Sequence, residues 1–174
     1  MIQFRRILFH LGLASVIACT SRESEPESTP VTPLPAARVR LVVGTDTIPV
    51  VAELAETQDQ RTMGLMERQH LADSAGMLFL YPSQQPANAG FWMFRTRIPL
   101  DIAFVDSTGT VRAIQHMVPC TATLAQGCQT YEPGAAYRAA LEVNAGFLAR
   151  HKIEVGSRII LADTSTKVGT SQSR

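Results

Sequence analysis

The segment FWMFRTRIPLDIAFVDSTGTVRAIQHM, residues 91–117, contains three short apolar runs separated by turn-forming residues. The runs cover residues 91–94, 100–105 and 110–117, and DSTG between the last two is typical of a tight turn. Strands joined by such short connections pair antiparallel. We therefore expect a three-stranded antiparallel meander, which makes the domain mainly β.

Five further strands are predicted on the two sides of this segment. The first two alternate apolar and polar residues around Gly44-Thr45-Asp46, which predicts a β-hairpin. The third is apolar at every position and ends at Pro82, as in a strand that is buried on both faces. The five strands are residues 39–43, 50–54, 77–81, 137–143 and 158–161.

Two short helices accompany the strands. Thr57 with Gln60 three residues later matches a capping box, and apolar residues at helical spacing predict a helix over residues 61–68. Asn144 is a favourable N-cap residue and predicts a second helix that runs to about His151. The predicted fold class is therefore mainly β (α+β), a compact antiparallel barrel or sandwich with two short helices.

Residues 1–18 have the layout of a signal peptide. Two arginines precede an apolar stretch at residues 7–18 that is too short to span a bilayer comfortably. The stretch ends in VIAC, residues 16–19, which resembles a bacterial lipobox and implies that Cys19 carries diacylglycerol after cleavage. Thr20 at the next position implies sorting to the outer membrane. We expect a lipoprotein on the periplasmic face of the outer membrane; an ordinary secretory signal with an incidental Cys19 is the alternative.

Three segments follow the signal peptide. Residues 19–37 are rich in Ser, Glu, Thr and Pro and predict a disordered tether. Residues 38–163 contain enough apolar side chains for a single domain, and the polar residues 164–174 predict a disordered tail. Loss of Arg5 and Arg6 with the signal leaves 14 of the 16 basic residues against 15 acidic ones. The mature chain is therefore near neutral, and no basic patch favours nucleic acid as a partner. The expected partner is the membrane, which the protein reaches through the lipid on Cys19.

Several blocks of sequence carry a family resemblance. They are Gly64-Leu65-Met66 with Arg68, Gly76-Met77-Leu78-Phe79, Phe91-Trp92-Met93 with Thr96, Ile98-Pro99-Leu100-Asp101-Ile102-Ala103-Phe104, and Leu141-Glu142-Val143-Asn144-Ala145-Gly146-Phe147. In this order they resemble the signature blocks of the domain of unknown function 192 family, over about residues 39–161. The resemblance implies a compact, mostly β fold in bacterial and archaeal proteins that are often exported. It implies no established activity, so no catalytic residue is carried over.

Cys120 and Cys128 remain once Cys19 is assigned to the lipid. In an oxidising periplasm such a pair favours a disulfide across the short loop between them. The alternative is a metal or redox site with His116 and Met117, because His, Met and thiolate suit Cu(I) or Zn. Neither zinc-finger nor C-x-x-C spacing is present, so no metal and no cofactor is expected.

Four residues in or near the blocks form the predicted ligand-binding face. Trp92 offers a flat stacking surface, Arg95 a partner for an anion, and Asp101 and Glu142 two carboxylates. The alternative is structural: Trp92 in the core, Asp101 paired with an arginine or capping the turn after Pro99, and Glu142 facing solvent.

Two functions follow from these residues. The first is a non-catalytic envelope module that binds a small molecule, a polysaccharide or an envelope protein through this face. The second is a hydrolase that uses Asp101 and Glu142 as a carboxylate pair. The sequence contains no G-x-S-x-G elbow, Walker loop, dinucleotide fingerprint or H-E-x-x-H motif. Catalytic residues are therefore unassigned, and an enzyme is the less favoured hypothesis.

Overall fold

The computed structural model describes residues 33–162. Within this range no helix is long and apolar enough to cross a membrane. The predicted signal peptide, Cys19, the tether up to residue 32 and the tail from residue 164 lie outside the described residues. The elements are β1 (Ala36–Val43), β2 (Asp46–Ala55), α1 (Gln58–Met63), β3 (Ala75–Gln85), β4 (Phe91–Trp92), β5 (Leu100–Val105), β6 (Val111–Met117), β7 (Thr130–Tyr131), β8 (Tyr137–Asn144), α2 (Phe147–Arg150) and β9 (Arg158–Ala162).

Seven strands form one mixed sheet in the order β6-β5-β8-β3-β2-β1-β9, and β4 pairs with β7 in a separate two-stranded sheet. Neighbours in the large sheet are antiparallel except β2 and β3, which run parallel. The sheet edges meet at an isolated bridge between Thr110 and Arg158 without closing. The mainly β class with two short helices is confirmed. Of the two expected architectures, the arrangement fits a sandwich and not a closed barrel.

Two local sequence signals, the hairpin at Gly44 and the capping box at Thr57, form the structures that they predict. The β1–β2 hairpin turns at Gly44, with Val43 opposite Asp46. In the capping box, the Thr57 hydroxyl accepts a hydrogen bond from the Gln60 amide at 3.2 Å, and the Gln60 side chain accepts one from the Thr57 amide at 2.8 Å. Helix α1 therefore begins directly after Thr57 and ends at Met63, which is earlier than predicted at both ends.

The predicted meander is only partly correct. β5 and β6 form the expected hairpin, and the Asp106 carboxylate accepts hydrogen bonds from the amides of Thr108 and Thr110 in its turn. The strand predicted at residues 91–94 does not pair with β5. Only Phe91 and Trp92 form a strand, β4, in which Phe91 lies opposite Tyr131 and Trp92 opposite Thr130. β4 therefore pairs outside the large sheet, with a strand about forty residues further along the chain, and belongs to the second layer of the sandwich.

The second helix does not begin at Asn144. α2 starts at Phe147, with Gly146 in a left-handed conformation (φ 76°) at its N-cap. The Asn144 side chain instead donates hydrogen bonds to the carbonyls of Leu71 and Ala72. These bonds join the end of β8 to the loop before β3, so a tertiary contact replaces the predicted cap.

The large sheet is apolar on both faces, and each face has its own core. On the first face, Leu141 and Val143 of β8 pack with Phe147 and Leu148 of the α2 segment. On the second face, the core includes Met77, Phe79 and Phe104 of the large sheet together with Met93 and Tyr131 from the β4 and β7 segments. The small sheet therefore covers the second face, as α2 covers the first. A polar side chain on either face is removed from water unless an opening reaches it.

Candidate functional site

Glu142 lies in the second half of β8 with its side chain on the second face of the large sheet. Its neighbours in register are Met77 of β3 and Ile102 of β5, which are both apolar and fully buried. Glu142 itself is 4% exposed. Burial raises the pKa of Glu142 to about 8 and is the only cause of the shift, so no charge or hydrogen bond from the described residues compensates for it.

A solvent-open cavity of about 200 Å³ reaches this carboxyl group. We call it the Glu142 pocket. Its sides come from α1 and the turn after it, from β3 and from β4, and the half-exposed side chains of Met63 and Trp92 stand at its rim. The main lining side chains are Arg61, Met63, Phe79, Tyr81, Trp92 and Glu142. The pocket therefore has a carboxyl group at its buried end and aromatic and apolar side chains at its opening.

Arg61 fixes α1 against β3 at one side of this pocket. One of its terminal nitrogens donates to the carbonyls of Glu56 and Leu80, at 2.6 and 2.8 Å, and the other donates to the side chain of Gln58 at 3.3 Å. The guanidinium lies over the Tyr81 ring, 4.9 Å from its centroid, and its Nε is buried without a hydrogen-bond partner among the described residues. These contacts assign Arg61 a structural role in the pocket wall.

The small sheet holds Trp92 at the rim. Phe91 points inward and packs edge-to-face on Phe79, with ring centroids 5.0 Å apart, so Trp92, the next residue of β4, points outward. Gly90 allows this close approach, because a Cβ there would lie 2.5 Å from a methyl carbon of Thr130. The disulfide between Cys120 and Cys128 closes the loop that leads into β7. The Cys120 amide also bonds the Met93 carbonyl at 3.3 Å, so the disulfide-bonded loop supports the segment that carries Trp92.

The disulfide also bears on the alternative metal or redox site. It occupies the sulfur atoms of both cysteines that this site would use. Among residues 33–162, no three His, Cys, Asp or Glu side chains are grouped so that they could hold a metal ion.

Arg95 lies outside the Glu142 pocket. Its Nε donates to the Glu67 carboxylate at 2.6 Å, and Arg97 binds the other oxygen of the same carboxylate. Hydrogen bonds from Arg97 and then Arg95 lower the pKa of Glu67. Arg95 is therefore an ion-pair partner in the loop after β4 and contributes no side chain to the pocket.

Asp101 projects from the first face of the sheet, opposite to Glu142. In register it lies beside Val143, whereas Ile102 lies beside Glu142, so the two carboxyl groups point to opposite faces. Asp101 is 6% exposed, and its Oδ1 lies 2.9 Å from Nδ1 of the exposed His116 at the edge of a different cleft. A hydrolytic carboxylate pair requires both groups on one substrate, so the Asp101–Glu142 pair proposed for a hydrolase does not form.

The structure therefore brings together two of the four predicted residues, Trp92 and Glu142. The structural alternative places Trp92 in the core and Glu142 in solvent. It is wrong for both, because Trp92 is 46% exposed and Glu142 is buried. For Asp101 it is correct that the group is paired, although the partner is a histidine. Sequence reasoning missed the contributions of Phe79, Tyr81 and Thr96, which read as core or loop residues because the pocket wall is built from distant segments.

These features define a β-sandwich domain with a solvent-open pocket over a buried carboxyl group. The model of DUF192, described as Uncharacterized ACR, matches residues 40–161, and the chain belongs to this family. A search of curated proteins finds no match. Four of the five sequence blocks that resemble the family contribute lining to the Glu142 pocket, and only the block at residues 98–104 does not.

Two solved structures are similar to this chain. One is a protein from Sinorhizobium meliloti 1021, described provisionally as a transcription regulator, with 32% identity and a TM-score of 0.67 over 75% of this chain and 96% of that one. The other is a protein of unknown function from Novosphingobium aromaticivorans DSM 12444, with 31% identity and a TM-score of 0.66 over 86% of this chain and 99% of that one.

Proposed function

We propose that this domain is a non-catalytic binding module of the cell envelope that holds a small ligand, or a small group of a larger one, in the Glu142 pocket. The observation that carries the proposal is a carboxyl group, 4% exposed and without a compensating partner among the described residues, in a cavity that opens to solvent. Burial of a carboxyl group without a partner from the protein lowers stability, and the Glu142 carboxyl group faces a cavity that opens to solvent, so a ligand that enters the cavity can supply the partner.

Binding is favoured over hydrolysis because the lining contains one carboxyl group. Glu142 is the only Asp, Glu, His or Cys among the residues that line this pocket. General acid–base hydrolysis of a glycoside needs two such groups about the scissile bond. The volume of about 200 Å³ also suits a single small group better than a segment of polymer.

The description of the Sinorhizobium protein raises regulation of transcription as another function. The charges near the pocket do not favour contact with nucleic acid phosphates, because Arg95 and Arg97 are both paired with Glu67 and Arg68 with Glu53.

The fluorescence of Trp92 gives a direct test of binding, since this is the single tryptophan of the chain. A panel of small polar and aromatic fragments should change Trp92 emission and shift the amide resonances of pocket residues such as Gly64 and Glu142. Val155→Ala, which removes an exposed apolar side chain outside the pocket lining, should bind as the wild type does. Fragment shifts that cluster around Asp101 and His116 instead would contradict the proposal.

The envelope location rests on the signal-peptide layout and the lipobox-like VIAC at residues 16–19. Cells that express the full chain and are fed labelled palmitate should incorporate the label into the wild type and not into Cys19→Ala. Label in neither protein, with the mature chain recovered from the soluble periplasm, would instead indicate an ordinary secretory signal.

A further inference from the structure

We propose that the ligand group recognised in the Glu142 pocket is an organic ammonium group, which supplies the cationic partner that Glu142 lacks inside the protein. This inference rests on the proposed function and specifies its ligand class.

The first argument is a contrast among the acidic side chains of the fold. Glu53 binds Arg68, Glu67 binds two arginines, Asp101 contacts His116, and Asp106 accepts hydrogen bonds in its turn. Glu142 is at least as buried as any of these groups. It is nevertheless the one of these five carboxyl groups that lacks such a contact, and its side chain faces the cavity. A cation that enters through the opening would complete the site in the way that an arginine or histidine completes the others.

The second argument is the composition of the lining. Rings of Phe79, Tyr81, Phe91 and Trp92 contribute to the pocket, and Trp92 stands where the ligand enters. Aromatic faces attract organic cations through their quadrupoles, most strongly for tryptophan and after loss of water. An anionic ligand would gain no attraction from the aromatic faces and would be repelled by Glu142 once that group ionises, so the lining favours a cation over an anion.

The other charged and titratable groups near the pocket do not take the place of the ligand. Arg61 is the one basic side chain in the lining, and its terminal nitrogens already donate to backbone carbonyls and to Gln58. Tyr81 lies beneath the Arg61 guanidinium. Further along the same face of the sheet, Glu53 is already paired with Arg68.

A neutral hydroxylated ligand is the competing class, and pH separates the two. Because burial raises the pKa of Glu142 to about 8, its carboxyl group is mostly protonated near neutral pH, so an ammonium group binds with release of that proton. The affinity for an ammonium ligand should therefore increase by up to roughly tenfold per pH unit as the pH rises toward the pKa of Glu142. An alcohol binds the protonated group without proton release, so its affinity should not increase.

The experiment compares benzylamine with benzyl alcohol, which share the ring and differ in the head group. Binding to the full-length chain is followed by Trp92 emission and by amide shifts between about pH 6 and about pH 8. We expect benzylamine to bind more tightly than benzyl alcohol, with an advantage that grows with pH. Glu142→Gln should remove both the preference and its pH dependence, whereas Glu53→Gln, the same change outside the pocket, should retain both.

Equal binding of the two probes, or benzylamine binding that does not change with pH, would overturn the ammonium inference and leave the pocket as a binding site. Absence of any response at the pocket to either probe would overturn the proposed function as well. The comparison of the two probes in the wild type tests the inference even if Glu142→Gln fails to fold.

Discussion

Asp101 and Glu142 lie on adjacent strands of the same sheet, are almost equally buried and face opposite sides. Asp101 contacts His116 beside a cleft of about 540 Å³, whereas Glu142 has no compensating group in a cavity of about 200 Å³. The larger cavity therefore borders a carboxyl group that already has its partner. Neither burial nor cavity size distinguishes the two carboxyl groups; what distinguishes Glu142 is that it lacks the partner that Asp101 has.

The largest effect that we expect from the difference between Asp101 and Glu142 is a pH dependence of the free energy of unfolding, caused by Glu142. Its pKa is raised from 4.5 to about 8 in the folded state, so between these values the folded chain retains a proton that the unfolded chain has lost. The stabilisation is complete below about pH 4.5 and is lost as the pH rises through about 8, at roughly 1.4 kcal/mol per pH unit within that window. Glu142→Gln lacks this titration.

Urea unfolding of wild type and Glu142→Gln without ligand, at several pH values, measures the effect. The stability of the wild type relative to the variant should decrease steadily from acidic to mildly alkaline pH. Two stability curves that stay parallel across the whole range would show that Glu142 is not desolvated in solution, and the contrast with Asp101 would disappear.

A smaller effect is expected from the disulfide that supports the second face. The double change Cys120→Ser and Cys128→Ser should lower the free energy of unfolding by about 2–3 kcal/mol, because the closed loop no longer restricts the unfolded chain. It should also weaken benzylamine binding, since the loop supports the segment that carries Trp92. Reduction of the wild type by dithiothreitol should reproduce both changes, and unaltered binding in the double variant would show that Trp92 is held without the loop.

The smallest expected effect comes from a substitution that leaves Asp101, like Glu142, buried without a partner. His116→Ala removes the partner of Asp101 and leaves a buried carboxyl group at the edge of the cleft. We expect a loss of about 1–2 kcal/mol in the free energy of unfolding, measured in urea at neutral pH. Benzylamine binding at the Glu142 pocket should be unaffected, and a change there would mean that the two faces are coupled.

The parts of the fold that depend on neighbouring residues could be predicted from sequence. The Thr57 capping box, the hairpin at Gly44 and the Asp106 turn are local, so their residues alone determine them. The pairing of β4 with β7 and the bonds from Asn144 to the loop before β3 join distant segments, and no short pattern encodes them.

The site was only half predictable for a related reason. β5 is buried on both faces, so its apolar run does not show to which side Asp101 points. Trp92 and Glu142 could be singled out as residue types that are unusual in their contexts. Their meeting in one pocket depends on strand register and on the placement of the small sheet, which only the structure supplies.

The parallel pairing of β2 and β3 has a consequence for how ligand choice can vary in this fold. Two parallel neighbours cannot be joined by a tight turn, so the chain must make a crossover, and residues 56–74 form it. The crossover contains α1 and the Gly64-Leu65-Met66 turn, which form one side of the pocket. Changes of length or composition there would alter what fits over Glu142 while leaving the hydrogen-bonded sheet intact. The fold thus separates the segment that would adapt to the proposed ligand from the strands that provide stability.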